Sequence, residues 1–172
     1  NQEYVQVAKN TDDHYHMIEE EIKRRLNSTT GTSDSRSVLV FFRTHEELEN
    51  FRKSPNFKNY KAKANVLSEL TAANAANREH IITSATRQGQ ITLITRMFGR
   101  GTDFKINDPR MESAGGMHVI STFFSRDVSE EVQMMGRCAR QGDRGSFSLV
   151  ILSKLEDMDV TADQVEGWPP AE

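Results

Sequence analysis

The sequence predicts a three-layer α/β domain, in which a mainly parallel central sheet is flanked by helices. Short apolar runs, SVLVFF at 37–42 and ITLIT at 91–95, alternate with longer segments of helical periodicity. Strands that are apolar at almost every position are typical of parallel sheets whose two faces are both covered. Alternating strands and helices connect through crossovers that produce the same layered architecture.

The elements follow one another with clear boundaries. The predicted strands are 37–42, 64–67, 91–95, 117–122 and 147–152. The predicted helices are 11–26, a helix starting at 44, 72–87 and about 129–140. In the first helix, Tyr15, Ile18, Ile22 and Leu26 share one face, and Thr44 with Glu47 forms a T-x-x-E capping box at the start of the second.

Length and composition bound the domain organisation. The chain has 172 residues, 36% hydrophobic and 27% charged residues and a net charge of −3, which suits one ordinary globular domain. We expect the domain over 1–158 and a linker or disordered tail over 159–172. No apolar run approaches the about 20 residues that span a bilayer. The single cysteine, Cys138, fits a reducing compartment, and the polar start without Met suggests an excised fragment rather than a signal peptide.

A glycine-containing loop, RMFGRGTD at 96–103, directly follows one predicted strand. Gly99 and Gly101 permit backbone conformations closed to other residues and allow a ligand to approach closely. Arg100 is a forked donor for phosphate or carboxylate, and Asp103 is an acceptor for a ribose hydroxyl. Ligands of parallel sheets sit at the carboxyl ends of strands, which favours a binding loop. A plain glycine-rich turn with a surface ion pair is the alternative.

The segment VSEEVQMMGRCAR at 128–140 predicts a helix with an apolar stripe and a second, basic face. Gln133, Arg137 and Arg140 share that second face, and Gly136 lies at its edge. Two guanidinium groups on one face repel unless an anion joins them, although a solvated basic face is the alternative. The QGD that follows ends the helix, so we expect the arginines on the same rim as the glycine-containing loop. Two segments that favour anions at the same edge of the sheet indicate a binding site for a nucleotide phosphate.

These segments resemble motifs V and VI of superfamily-2 helicases, and the resemblance to SecA, the preprotein translocase ATPase, is closer. TRMFGRGTD at 95–103 is similar to the T-N-M-A-G-R-G-T-D of SecA, with Arg96 in place of Asn. GGMHVI at 115–120 is similar to G-G-L-H-V-I, and QMMGRCARQGD at 133–143 to Q-L-R-G-R-S-G-R-Q-G-D. The resemblance is strong over 91–157 and carries the three motifs in the same order and spacing.

The resemblance implies a RecA-like fold and the second motor domain of a SecA-like ATPase coupled to protein translocation. It implies that Arg137 and Arg140 reach the γ-phosphate, with Arg140 as the arginine finger. Arg100 and Asp103 would couple the nucleotide to the domain interface, with Asp103 near the ribose or the ion shell. The other implied nucleotide-binding positions are Gly99, Gly101, Thr102, Gln133 and Gly136.

The implied cofactor is ATP with Mg²⁺, held mainly by a first motor domain. The 172 residues contain no G-x-x-x-x-G-K-[ST] phosphate loop and no D-E-A-D-like segment, so we expect the chain alone to be inactive. The implied partners are the N-terminal motor domain of the same protein and an unfolded polypeptide. The implied location is cytoplasmic, with peripheral membrane attachment as an alternative.

Two other functions stay open on the sequence. A nucleic-acid helicase half is favoured by the basic stretch 52–63, whereas the net charge of −3 counts against it. A non-enzymatic module that uses the fold for partner binding is the third hypothesis. His14 and His16 do not share a helix face, so we expect no metal site there, and His118 is expected to be a packed strand residue with one hydrogen bond.

Overall fold

A computed structural model describes residues 5–27, 34–99, 102, 104–125 and 145–153. In chain order, the elements of these residues are β1 (Val5–Ala8), α1 (Thr11–Leu26), β2 (Val38–Phe42), α2 (His45–Arg52), β3 (Asn65–Leu67), α3 (Ala75–Ala85), β4 (Ile91–Thr95), α4 (Pro109–Ser113), β5 (Met117–Ser121) and β6 (Gly145–Leu152). Short 3₁₀ turns occupy Pro55–Phe57, Thr71–Ala73 and Arg96–Gly99.

The six strands form one sheet in the order β1-β6-β5-β2-β4-β3, and every neighbouring pair is parallel. β2 occupies the interior, with Phe42 beside Thr95 of β4 and Phe41 beside Ser121 of β5. Because all strands point the same way, their carboxyl ends meet along one edge of the sheet. The predicted α/β class with a parallel sheet is confirmed.

The core consists of two apolar clusters, one on each face of the sheet. Leu39 and Phe41 of β2 belong to the cluster covered by α3, whereas Val38, Val40 and Phe42 belong to the cluster covered by α1 and α2. All five residues of β2 are buried, which explains why its sequence shows a continuous apolar run instead of alternation. The strand is therefore held from both sides, as expected of a three-layer domain.

Side-chain caps define where the helices begin. Thr44 Oγ1 accepts from the Glu47 backbone N–H at 3.1 Å, which confirms the predicted cap of α2. Asn74 Oδ1 accepts from the backbone N–H groups of Ala76 and Asn77 at 2.8 and 3.3 Å. This cap starts α3 at residue 75, so the prediction of a helix from 72 was wrong at its first turn, which is a separate 3₁₀ turn.

The sequence did not predict β1. Its four residues, VQVA, give too short a pattern on their own, and the strand exists because it pairs with β6, with Val5 beside Leu149. The predicted helix 129–140 and the predicted tail 159–172 lie outside the described residues. Across the described part of the chain, no helix has the length and apolar character needed to cross a membrane.

Candidate functional site

The candidate site lies at the carboxyl edge of the sheet, where the chain leaves β4. Residues 96–99 continue from the strand as a 3₁₀ turn. Phe98 packs against the core below, and Phe104 is almost completely buried beyond the loop. These two rings fix the chain one residue before Gly99 and two residues after Thr102. Thr102 is itself buried, at 7% exposure.

The remaining residues of this loop, Arg100, Gly101 and Asp103, lie outside the described residues. Gln133, Gly136, Arg137 and Arg140 lie outside them as well. β5 ends at the carboxyl edge, whereas Gly145 of β6 begins beside Met117 at the opposite edge. The predicted meeting of Arg137 and Arg140 with the 96–103 loop therefore stays a prediction.

A cavity of about 660 Å³ opens beside this loop, between α3 and the segment 97–107. It is lined by Arg78, Glu79, Ile82, Thr83, Thr86, Met97, Phe98, Thr102, Lys105 and Asn107. Its size lies in the range of small-molecule sites, and its walls combine apolar side chains with charged groups of both signs. Among the described residues, Thr102 is the predicted site residue that lines it.

Hydrogen bonds connect segments that follow different strands at this edge. His45 Nδ1, at the start of α2, lies 2.9 Å from Ser68 Oγ, just after β3. Thr122 Oγ1 donates to the Phe41 carbonyl at 2.8 Å, which ties the exit of β5 to β2. Thr95 Oγ1 is buried and, among the described residues, has no hydrogen-bond partner. A polar group in that state is unusual and marks the exit of β4 as a place suited to a polar ligand or water.

The charged groups of two arginines lie over one aromatic ring at the same edge. The guanidinium Cζ of Arg96 lies 5.2 Å from the ring centroid of Phe123, and that of Arg43 lies 5.9 Å from it. Arg43 follows the last residue of β2 and Arg96 the last residue of β4, so the parallel pairing brings them together. Sequence reasoning missed this group, although Arg96 was already visible as a departure from the Asn of SecA.

A second polar cluster lies at the opposite, amino edge of the sheet. Arg36 donates to the carbonyl of Gly116 at 2.8 Å and to Ser146 Oγ at 2.6 Å. His118 of β5 lies 2.6 Å from Ser146 Oγ through Nδ1 and 2.8 Å from Ser148 Oγ through Nε2, so the expectation of a single hydrogen bond was wrong. Its Nε2 also faces Glu21 of α1, 3.5 Å away. These contacts connect α1, β5 and β6.

Burial governs the protonation of this cluster. Burial lowers the pKa of His118 to about 4, outweighing the neighbouring Glu21, which raises it. Burial would raise the pKa of Glu21, but hydrogen bonds from His118, Arg25 and Arg24 outweigh it and hold that pKa far below its usual value. At neutral pH the cluster therefore contains a neutral imidazole beside a charged carboxylate. An Nε2–H tautomer suits this geometry, because the carboxylate can only accept.

Comparison with known proteins assigns the chain to a family. A family model described as the SecA P-loop domain matches residues 2–112, more than half of the chain. The chain is 49% identical over 59 residues to protein translocase subunit SecA 2 of Rhodopirellula baltica, a match that covers 34% of this chain and 9% of that protein. It is 45% identical over 69 residues to protein translocase subunit SecA 3 of Magnetococcus marinus, covering 40% and 10%. The matched regions thus span about a tenth of these relatives.

Solved structures with the same fold are more distant in sequence. The Mss116p DEAD-box helicase domain 2 bound to an RNA duplex superposes with a TM-score of 0.59 at 18% identity, covering 86% of this chain and 53% of that one. The E. coli DEAD-box protein SrmB, bound to regulator of ribonuclease activity A, superposes with a TM-score of 0.57 at 18% identity, covering 86% and 76%. At this identity the likeness shows the fold alone, a RecA-like domain. The family-model match and the translocase relatives together show that the chain belongs to the SecA P-loop domain family.

Proposed function

We propose that the chain is the second motor domain of a SecA-like ATPase that couples ATP hydrolysis to polypeptide movement. The observation that carries the proposal is the position of the RMFGRGTD segment, whose described residues leave the carboxyl end of an interior strand in a parallel sheet. Nucleotide sites of such sheets lie at this edge. The match to the SecA P-loop domain, which includes this segment, supports the same conclusion.

In the proposed mechanism, Arg137 and Arg140 stabilise the charge that develops on the γ-phosphate oxygens, with Arg140 as the finger. An arginine supplied from a second domain accelerates phosphoryl transfer by about 10³–10⁵-fold. Arg100 and Asp103 connect the nucleotide to the interface between the two motor domains. The contact with the nucleotide is also shaped by Gly99, Gly101, Thr102, Gln133 and Gly136. A first motor domain of the same protein binds ATP with Mg²⁺, and closure of the two domains around ATP moves the polypeptide. We place this domain over 1–158, followed by a linker or disordered tail over 159–172, in a protein that is cytoplasmic or peripheral at a membrane.

The test joins the chain to its native N-terminal neighbour and measures steady-state ATP turnover. Arg140→Ala should lower kcat by about 10³-fold while the far-ultraviolet circular dichroism stays unchanged. Arg110→Ala is the matched control, because Arg110 is exposed on α4 and pairs with Asp108 at 3.3 Å. Turnover of the Arg140→Ala protein equal to that of the control would refute the finger assignment.

An RNA helicase half is the second candidate, since both solved neighbours named above are DEAD-box proteins. The two candidates differ in the polymer that stimulates turnover of the joined protein. A translocase motor should respond to an unfolded polypeptide, whereas a helicase should respond to RNA with a steep salt dependence. Stimulation by RNA alone would replace the first proposal by the second. A non-enzymatic module would show no turnover in either case.

A further inference from the structure

A turn rich in lysine connects α2 to β3. Between Glu49 and Glu69 the chain contains five cationic residues and no Asp or Glu, although its net charge is −3. Two of the five, Arg52 and Lys53, lie 2.8 and 3.8 Å from the carboxylate of Glu49. The other three are exposed and make no ion pair in the part of the chain that the structure describes; they form the lysine turn, which consists of Lys58, Lys61 and Lys63. Three positive charges thus lie within six residues of chain.

The backbone of the lysine turn is fixed on the domain. The N–H of Lys61 donates to the carbonyl of Phe57 at 3.0 Å, and Phe57 is fully buried in the cluster covered by α1 and α2. Asn56 Nδ2 donates to Glu19 of α1 at 2.9 Å, and that carboxylate also pairs with Lys23 at 3.7 Å. Because the backbone is already held, an anion that binds the turn has to order only the lysine side chains.

The chemistry of the lysine turn suits carboxylates better than nucleic-acid phosphates. Proteins bind single-stranded nucleic acids through aromatic rings that stack on the bases and through the forked donors of arginine. In this turn Phe57 is fully buried and Tyr60 is partly buried, so neither ring forms an open stacking surface. Lysine supplies compact point charges, which pair with single carboxylates. The partner that fits this surface is therefore an acidic stretch of polypeptide.

The chain itself contains an acidic stretch at 159–172, outside the described residues. It has four carboxylates and no Lys or Arg: Asp159, Asp163, Glu166 and Glu172. We propose that the segment 159–172 docks on the lysine turn, with Asp163 and Glu166 as its main counter-charges. One exposed lysine–carboxylate pair contributes little by itself. The covalent connection raises the effective concentration of the segment to the millimolar range, so that several weak pairs act together. The proposal does not depend on the proposed function.

The connection between the two segments is long enough. Ser153 leaves β6 at the carboxyl edge, where its N–H donates to the carbonyl of Ala8 at 2.9 Å. The lysine turn leads into β3 at the amino edge, at most four strand spacings across the sheet, about 19 Å, and one strand length along it, about 17 Å. Asp163 and Glu166 lie ten and thirteen residues beyond Ser153, which span up to about 33 and 43 Å when extended. The docked segment would cross the layer of α1 and α2, away from the glycine-containing loop.

Trp168 is the single tryptophan of the chain and belongs to the docking segment, so its fluorescence anisotropy in the 172-residue chain tests the proposal. The anisotropy should be high in about 0.01 M salt and fall in about 1 M salt, because the Debye length shrinks from about 30 Å to about 3 Å. Lys58→Gln combined with Lys61→Gln should cause the same fall in low salt. The matched control is Arg87→Gln combined with Arg110→Gln, which removes two exposed cations of other segments and should leave the anisotropy unchanged.

An exchange of charges tests the pairing itself. Lys58→Glu combined with Lys61→Glu should lower the anisotropy in low salt, and the further changes Asp163→Lys and Glu166→Lys should restore it. A zero-length carbodiimide should link carboxylates of the segment 159–172 to the lysine turn within one chain, and mass spectrometry locates these links. Circular dichroism establishes that each variant is folded.

Three results would overturn the proposal. The first is an anisotropy of Trp168 that responds neither to salt nor to the replacement of Lys58 and Lys61 in a folded chain. The second is cross-links that join two chains and increase with protein concentration, which would assign the lysine turn to a second copy. The third is an RNA oligonucleotide whose binding requires Lys58 and Lys61 while Trp168 does not respond to their replacement, which would assign the turn to a nucleic acid.

Discussion

The carboxylate of Glu21 lies 3.5 Å from Nε2 of His118, and both side chains are almost completely buried. One belongs to the first helix and the other to a strand that is about a hundred residues distant in the sequence. Their contact connects the outer layer of the domain to the sheet.

Stability should decrease as the pH falls from about 6.5 to about 4. The folded state keeps His118 neutral down to a pKa of about 4, while in the unfolded chain it takes up a proton near 6.5. The unfolded state therefore binds more protons in this pH window. At pH 4 this should have lowered the free energy of unfolding by on the order of 3 kcal/mol. Urea denaturation between pH 7 and pH 4 measures the slope.

His118→Gln should reduce that slope without abolishing it, because burial also lowers the pKa of His14. The control is His16→Gln, which replaces an exposed histidine on the same helix as His14 and should leave the slope unchanged. A slope in His118→Gln equal to that of the original chain would show that the neutral histidine is not its source. Below about pH 4.5 a further loss is expected, since Glu21 has a depressed pKa and loses its favourable contacts on protonation.

Glu21→Gln should lower the free energy of unfolding by about 2 kcal/mol, because charge-assisted hydrogen bonds are lost from a buried position. Glu21 accepts from Arg25 Nε at 2.7 Å and also pairs with Arg24. Glu20→Gln on the same helix is the control: Glu20 is about half exposed, so loss of its pair with Lys23 should change the stability much less. Equal effects of the two changes, measured by urea denaturation at pH 7, would contradict a role for burial.

Phe51→Ala should lower the free energy of unfolding by about 3–5 kcal/mol. Phe51 is fully buried, meets Tyr15 edge-on at 5.4 Å and lies 5.1 Å from the ring of Phe57. Removing it leaves a cavity in the layer formed by α1, α2 and the sheet. Leu70→Ala serves as the comparison, since Leu70 is 71% exposed and should change stability by less than about 0.5 kcal/mol. Thermal and urea denaturation should give the same ranking.

The 172-residue chain alone should show ATP turnover no higher than buffer, because its sequence contains no phosphate loop to hold the triphosphate. The chain joined to its N-terminal neighbour is the matched positive control, assayed at the same concentration of ATP and Mg²⁺. Turnover by the chain alone that disappears in Arg140→Ala would mean that it forms a complete active site without a first motor domain.

The fold was largely predictable because its strands are buried on both faces. All five residues of β2 are apolar, as are three of the five in β4, and such runs are typical of strands that layers cover on both sides. β1 was not predictable, since four residues acquire their structure from β6, which is remote in sequence. The start of α3 was missed by one turn because the cap at Asn74 decides it, and the Ala-rich stretch before it also suits a helix.

The candidate site was predictable only in part. A glycine-containing loop after a buried strand indicates a ligand from local sequence, and its binding role stays a prediction. The Arg43–Phe123–Arg96 group joins three segments that are far apart in sequence, and nothing local in any of them indicates the other two. The buried contact of Glu21 with His118 could not be predicted from the sequence for the same reason.

The parallel pairing of β1 with β6 has a mechanical consequence. Tension applied between the start of β1 at Val5 and the end of β6 at Leu152 pulls the two strands past each other along their common axis. The rungs between Val5 and Leu149 and between Ala8 and Leu152 then share the load, and must slide together instead of opening one after another. Tension can therefore act through the outermost strand and its neighbour while the layers beneath keep their shape.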